Sequence, residues 1–240
     1  MVTSQEIPDL LTGLATTRAI RRIAPDPIPD DDLSTILWHA TRAPSGTNRQ
    51  PTRFVVLRDG ETAAAAKATL ARGFRAGWAA KSDDAGYDSG SALDPHSRKG
   101  RQRAAMQHLV DRFEDVPVVV LACLVRYREP NPSEGASVYP ACQNLLLAAR
   151  ALGYGGVLTG WHAPVEADLR RLLSIPDGVA ISATIPLGRP LGGHGPVRRL
   201  PIGDVVYDGG WGDAAPWAVD PEGTRFAGPP PNTPRTDAGR

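Results

Sequence analysis

Val138-Tyr139-Pro140-Ala141-Cys142-Gln143-Asn144-Leu145-Leu146-Leu147-Ala148-Ala149-Arg150-Ala151-Leu152-Gly153-Tyr154-Gly155-Gly156-Val157-Leu158-Thr159-Gly160-Trp161 is the stretch on which the reading of this chain turns. Val138, Cys142, Leu145, Leu146, Ala149 and Leu152 fall on one broad helical face, and a stripe that wide must be buried against something. Pro140 is tolerated only in the first turn of such a helix, which places the start near Val138. Gly153 supplies the usual C-terminal stop, and Gly155 to Thr159 follows at once as a strand. The glycines come after a helix and before a strand, the wrong order for a dinucleotide fingerprint. Two readings of them stay open: a backbone that lets a flat ligand approach closely, or a helix cap followed by a tight turn.

Outward from that stretch, Val116 to Val125 is a continuous apolar run, the pattern of a strand buried on both faces. Val165 to Leu173 reads as a short helix and Val179 to Leu187 as another strand. At the other end, Thr3 and Glu6 have capping-box spacing, and Ile7, Leu10, Leu11 and Leu14 follow at helical intervals up to about Thr16. Thr17 to Ile23 is extended and basic, and Pro25, Pro27 and Pro29 forbid a continued helix. A second helix begins after Asp30, with Asp31 and Asp32 at its positive end and Leu33, Ile36, Leu37 and Ala40 as its buried stripe. It stops before Pro44. Phe54 to Leu57 is a short strand, Thr62 to Leu70 an alanine-rich helix, and Met106, Leu109, Val110 and Phe113 mark a further helix. Ala71 to Gly100, rich in Gly, Ser, Asp and Arg, is expected to be irregular, and a long loop in a compact chain is either functional or disordered. The resulting order is helix, helix, strand, helix, helix, strand, helix, strand, helix, strand. It describes a layered α+β or α/β domain rather than a plain alternating unit.

The 240 residues suffice for one sizeable domain, expected over residues 1–218, with the proline-dense stretch 219–240 as an extension that has no core of its own. Lysine and arginine number 27 against 26 acidic residues, so no global field draws the protein to nucleic acid or membrane. An anion must be held locally. Cys123 and Cys142 read as buried reduced thiols. The five histidines lack paired ligand spacing, so no metal site is expected. No run of apolar residues reaches membrane-spanning length and no signal pattern opens the chain, which makes the cytoplasm the expected location.

Three constellations can carry chemistry. In Thr17-Arg18-Ala19-Ile20-Arg21-Arg22, arginines at alternating positions of an extended segment point the same way. Arg18 and Arg22 can thus converge on one anion, for which guanidinium geometry suits phosphate; a solvated basic edge is the competing reading. The loop Ala43-Pro44-Ser45-Gly46-Thr47-Asn48-Arg49-Gln50-Pro51 offers hydroxyls, amides and a glycine, suited to a ring with many donors and acceptors, or forms an ordinary polar turn. Gly153 to Trp161 is the third. Late in the chain Arg198-Arg199 precedes Pro201 after Leu200, and joined to Arg18 and Arg22 this pair would complete an arginine cage.

Taken in this order, the segments over residues 7–206 resemble the nitroreductase family. Arg18 and Arg22 match its basic stretch after the first helix. Pro44, Ser45, Asn48, Gln50 and Pro51 match its Pro-Ser-x-x-Asn-x-Gln-Pro loop, and Gln143 to Gly153 its long central helix. Val157 to Gly160 match the strand beside the flavin, and Leu187-Gly188 with Arg198-Arg199 match the closing motifs. The resemblance implies a three-layer α/β/α fold with a mainly antiparallel central sheet, and a homodimer with two flavin mononucleotide (FMN) sites at the subunit interface. Arg18, Ala19, Ile20, Arg22, Arg198 and Arg199 would hold the phosphate end. Pro44, Ser45, Gly46, Thr47, Asn48, Gln50, Val157, Leu158, Thr159 and Gly160 would meet the ring. NADH or NADPH would reduce the flavin, and a nitroaromatic, quinone or similar electron-poor acceptor would reoxidise it by ping-pong turnover. No catalytic side chain is required, because the cofactor carries the chemistry; the Gly160 N–H is a candidate donor to the ring.

Departures from the family pattern are Ala19 and Ile20, where many members carry a second basic residue and a serine, and Thr52, where many carry an aromatic. Within 71–100, Phe74, Trp78 and Tyr87 are expected either to line an acceptor pocket as a lid or to pack on the body. Alternatives on the same site are flavin cleavage, ring oxidation, dehalogenation, or flavin binding without catalysis.

Overall fold

A computed structural model describes residues 9–227; the expected cap at Thr3 and Glu6 lies outside them. Within them α1 spans Leu10–Thr16 and is capped by Asp9, whose Oδ1 accepts from the Thr12 N–H at 3.0 Å. Then come α2 (Asp30–Ala40), β1 (Thr52–Leu57), α3 (Glu61–Asp84), α4 (Arg98–Asp111), β2 (Val118–Val125), α5 (Tyr139–Ala151), β3 (Gly155–Gly156), α6 (Glu166–Leu172) and β4 (Val179–Gly188). The order of helices and strands is the one read from the sequence.

The strands form one antiparallel sheet in the order β1-β2-β4-β3. Strand β2 lies inside it and is buried on both faces, which is why its sequence does not alternate. Its odd residues Val119, Leu121 and Cys123 face a layer made by Leu70 and Phe74 of α3, Leu109 of α4 and Leu169 of α6. Its even residues Val118, Val120 and Ala122 face Leu33 and Ile36 of α2 and Cys142, Leu145 and Ala149 of α5. The sheet is therefore sandwiched between two helical layers, an α/β/α arrangement. Ser182 is the extra residue of a bulge, since the register passes from Ala122↔Ala183 to Cys123↔Ile181.

Two expectations need correction. Residues 71–84 are not irregular: they continue α3 for a total of 24 residues. Ala66, Leu70, Phe74 and Trp78 recur every fourth position and are all buried, so tertiary packing carries the helix past the polar and glycine residues that suggested a loop. Gly73 and Gly77 are contact glycines: a Cβ at Gly73 would stand 2.7 Å from the Trp161 carbonyl, and one at Gly77 would touch the Trp161 ring at 3.2 Å. Residues 98–100 already belong to α4, whose Ser97 cap accepts from the Gly100 N–H at 2.8 Å. The strand expected over Gly155 to Thr159 is also interrupted. Only Gly155–Gly156 pair as strand, and Thr159 rejoins β4 at a single bridge to Thr184.

The described chain divides into two compact units, one ending at His194 and one beginning at Gly195. The second is held by short links of its own. Arg199 bridges Phe226, Tyr207 bridges Ala214, the Ile202 N–H donates to Asp220 Oδ2 at 3.0 Å, and Trp217 Nε1 donates to Asp208 Oδ2 at 2.9 Å. Among the described residues no helix is long and apolar enough to cross a membrane.

Candidate functional site

The basic segment runs alongside β3. The Ile20 N–H donates to the Gly156 carbonyl at 2.9 Å, Ile23 bridges Pro190, and the Leu191 N–H donates to the Arg22 carbonyl at 2.9 Å. Ile20 is buried against Gly155, where a Cβ would meet its Cγ1 at 2.6 Å. That contact explains Gly155, where the chain must pass close to the segment; Gly156 is confined to glycine by the Pro186 carbonyl instead. Arg18 and Arg22 are exposed on either side of the buried Ile20, so simple alternation does not put all three side chains on one face. Arg21, passed over in the sequence, is the half-buried arginine of the segment. Burial pushes its pKa down, and among the described residues no carboxylate pairs with it. The signal was present in its place between the buried Ile20 and Ile23.

Past β3, Thr159 turns both its N–H and its C=O to Thr184, each bond 2.9 Å long. In an antiparallel pair the neighbouring residues then face the other way. Gly156 does so and is met by Ile20. Leu158 and Gly160 lie beyond the reach of that segment, and among the described residues their N–H groups have no protein acceptor. A Cβ at Gly160 would find open space. The sheet edge here presents two outward amides next to the basic segment.

The edge is fixed from behind by a histidine that sequence reasoning did not single out. His162 is buried and its Nε2 lies 2.8 Å from the Ile181 carbonyl, so Nε2 carries the proton. Nδ1 then accepts from Thr184 Oγ1 at 3.2 Å. Burial, the largest cause, holds the His162 pKa below its ordinary value, and the neutral ring fits both bonds. His194 plays a similar part at the segment's start. Its Nδ1 accepts from the Arg18 N–H at 3.3 Å, its Nε2 donates to the Tyr154 carbonyl at 3.2 Å, and its pKa is lowered by burial.

The loop from Pro44 to Pro51 leads into β1. Thr47, Asn48 and Gln50 all have positive φ, near 50°, uncommon for residues with a side chain and typical of strained functional loops. Ser45 Oγ accepts from the Gln50 N–H at 2.9 Å and closes the loop on itself. Gly46, Thr47, Asn48 and Gln50 are exposed. The loop stands at the β1 edge of the sheet, whereas the basic segment adjoins β3 at the opposite edge. Three strand spacings separate the edges, roughly 14 Å, and the loop precedes β1 at the end of the sheet away from β3. One chain thus brings the basic segment to Val157–Gly160 but does not bring the loop to them.

Arg198 and Arg199 are exposed in the second unit, where the Ala227 N–H donates to the Arg199 carbonyl at 2.7 Å. Phe74, Trp78 and Tyr87 lie in the body of the first unit, all buried. Phe74 packs at 4.2 Å from Phe113 and at 5.3 Å from Trp161, while Trp78 packs at 5.1 Å from Tyr87 and donates from Nε1 to Gln107 Oε1. Of the two expectations for these rings the structure takes the inward one, and the lid reading is withdrawn. Both cysteines are buried and pushed up to about 11, so neither is a reactive thiolate at neutral pH. Among the described residues no group of His, Cys, Asp and Glu side chains is arranged to hold a metal ion.

A family model described as the nitroreductase family matches residues 14–189. The chain is 31% identical to a Thermus thermophilus protein named NADH dehydrogenase, over 82% of this chain and 95% of that one. It is 29% identical to a Methanothermobacter thermautotrophicus protein named for NADH dehydrogenase and NAD(P)H nitroreductase, over 76% and 78%. Among solved structures, one from Desulfovibrio desulfuricans, described as a nitroreductase in complex with FMN, superposes with a TM-score of 0.60 at 27% identity. It covers 84% of this chain and 96% of its own.

Proposed function

The chain belongs to the nitroreductase family, and from that premise we propose that it works as a homodimeric, FMN-dependent NAD(P)H oxidoreductase acting on nitroaromatics, quinones or similar electron-poor small molecules. The observation that carries the reading is the free sheet edge at Leu158 and Gly160 beside a basic segment. Two outward N–H groups suit the acceptor-rich rim of a flavin ring, and the exposed Arg18 and Arg22 with the half-buried Arg21 suit its phosphate.

FMN, when bound, supplies the two-electron chemistry. The chain's own work is to bind and orient. The Gly160 N–H would donate toward the flavin ring, and the open space at Gly160 leaves room for that approach. Thr159 and Thr184, locked by neutral His162, keep the edge from shifting. No side chain at this edge is needed as nucleophile or general base. Donor and acceptor share one face in turn, which requires ping-pong kinetics.

The loop Pro44–Pro51 reaches this site only from a second copy, since its own chain holds it at the far edge. The homodimer is therefore part of the proposed site, and the exposed Leu10, Leu11 and Leu14 of α1 offer apolar surface for it. The test is an absorption spectrum of the purified protein, followed by anaerobic titration with NADPH or NADH and reoxidation by a panel of nitroaromatics and quinones. Bound FMN that is bleached by the nucleotide and restored by an acceptor is the expected result. Colourless protein that takes up no added FMN would overturn the proposal.

A further inference from the structure

The same strained loop carries Arg49, and no local pattern around it foretells where the structure places it. Its guanidinium lies over the Tyr127 ring, 4.3 Å from the centroid, and that of Arg128 lies 5.3 Å from the same centroid. Arg53, the second residue of β1, is held against the loop by donating from one nitrogen to the carbonyls of Gln50 and Thr52, both at 2.8 Å. Beside the stack is an open cleft lined by Pro51, Tyr127, Arg128, Asn131 and Ser133, and also by Arg126 and Glu134, which pair with each other.

The charges of this patch do not cancel. Arg126 is neutralised by Glu134, which receives two bonds of 2.9 and 2.7 Å. Glu129 is the remaining acid of the segment and is exposed. Arg49, Arg53 and Arg128 have no carboxylate partner among the described residues. Arg128 makes only long contacts, 3.3 Å to Asn131 Oδ1 and 3.4 Å to Ser133 Oγ, and most of its donors stay available. An aromatic ring that orders guanidinium planes without consuming their N–H groups leaves them prepared for an anion. Two such forks with a net positive surround fit a dianionic phosphomonoester better than a carboxylate.

We propose that Arg49, Arg128 and Tyr127, supported by Arg53, form the site for the adenosine 2′-phosphate of the electron donor, so that the protein prefers NADPH over NADH. The inference rests on the proposed function. The loop that carries Arg49 is the one assigned to the flavin ring, which puts these arginines within the span of an extended dinucleotide whose nicotinamide lies on that ring. It escaped the sequence because Arg49 and Arg128 are separated by most of the first half of the chain and by a strand pairing.

The test has a binding arm and a kinetic arm, both on the full chain with FMN supplied. Adenosine 2′,5′-bisphosphate should bind at least about tenfold more tightly than adenosine 5′-monophosphate, the yield of two charge-assisted contacts. In Arg49→Ala/Arg128→Ala that advantage should fall to about twofold or less. The ratio of kcat/KM for NADPH to that for NADH should drop by a similar factor, about fivefold or more, while circular dichroism confirms a folded variant. Equal binding of the two nucleotides by the parent protein, or an unaltered ratio in the variant, overturns the site. So does a variant that loses affinity for an anionic acceptor while keeping its nucleotide ratio. If neither NADPH nor NADH bleaches the flavin, the proposed function fails, yet the binding arm still reports on the arginines.

Discussion

A histidine without room for a second proton shows how a single residue can set the behaviour of this site. His162 donates to the Ile181 carbonyl and accepts from Thr184, and protonating Nδ1 would turn that acceptor into a donor facing a hydroxyl inside the core. Its folded pKa lies below the ordinary 6.5 because burial disfavours the charge. As the pH falls through 6.5, the unfolded chain takes up the proton first, so stability is lost from that point down to the folded pKa and is fully present above it. Urea unfolding at pH 7 and pH 5 should show the drop. His162→Gln, which cannot titrate, should flatten it in part, the remainder coming from His194, whose pKa is shifted the same way. An identical pH slope in parent and variant would contradict this account. None of it was legible beforehand, because a lone histidine after Trp161 carries no sign of what will surround it.

At the scale of elements, two kinds of packing decide what the sequence pattern left ambiguous. Gly156 sits where a Cβ would stand 2.4 Å from the Pro186 carbonyl, a backbone atom that cannot swing away. Gly156→Ala should therefore cost about 1–3 kcal/mol by overpacking and lower the FMN content, measured by thermal unfolding and flavin absorbance. Gly160→Ala, with open space around it, should leave the melting temperature nearly unchanged. Helix α3 supplies the other case. Trp78 is 5% exposed, so Trp78→Ala should destabilise by about 3–5 kcal/mol through the cavity it leaves. A variant that kept parental stability and only raised KM for an aromatic acceptor would restore the lid. The helix was hidden in the sequence because Gly73 and Gly77 weaken local propensity. What pays for them is contact with Trp161, some eighty residues later in the chain.

For the whole molecule, the two edges of the sheet hold different parts of the proposed site, and this argues for a second copy more directly than any one surface does. Leu11 is 75% exposed on α1, and with Leu10 and Leu14 it forms an apolar stripe that one chain leaves in water. Leu11→Glu should shift the protein toward monomer in analytical ultracentrifugation, and FMN should be lost together with the dimer. Monomers that retain the full complement of flavin would show that one chain suffices. The near-balanced charge of the sequence adds no long-range steering, so affinity for anions must come from local groups such as the basic segment and the Arg49–Arg128 pair.

By itself the sequence determined the order of the elements, a buried strand within Val116 to Val125, the long helix closed off by Gly153 and the membership of the family. Each of these is written in spacing that neighbours along the chain can satisfy: apolar periodicity, proline and glycine at helix ends, and short motifs in a fixed order. Tertiary structure alone decided that Phe74, Trp78 and Tyr87 turn inward, that Leu158 and Gly160 keep free amides, and that the Pro44–Pro51 loop stands across the sheet from the basic segment. Those outcomes depend on which strands pair and which side chains compete for the same volume. Such contacts join residues far apart in the chain, and no local pattern records them.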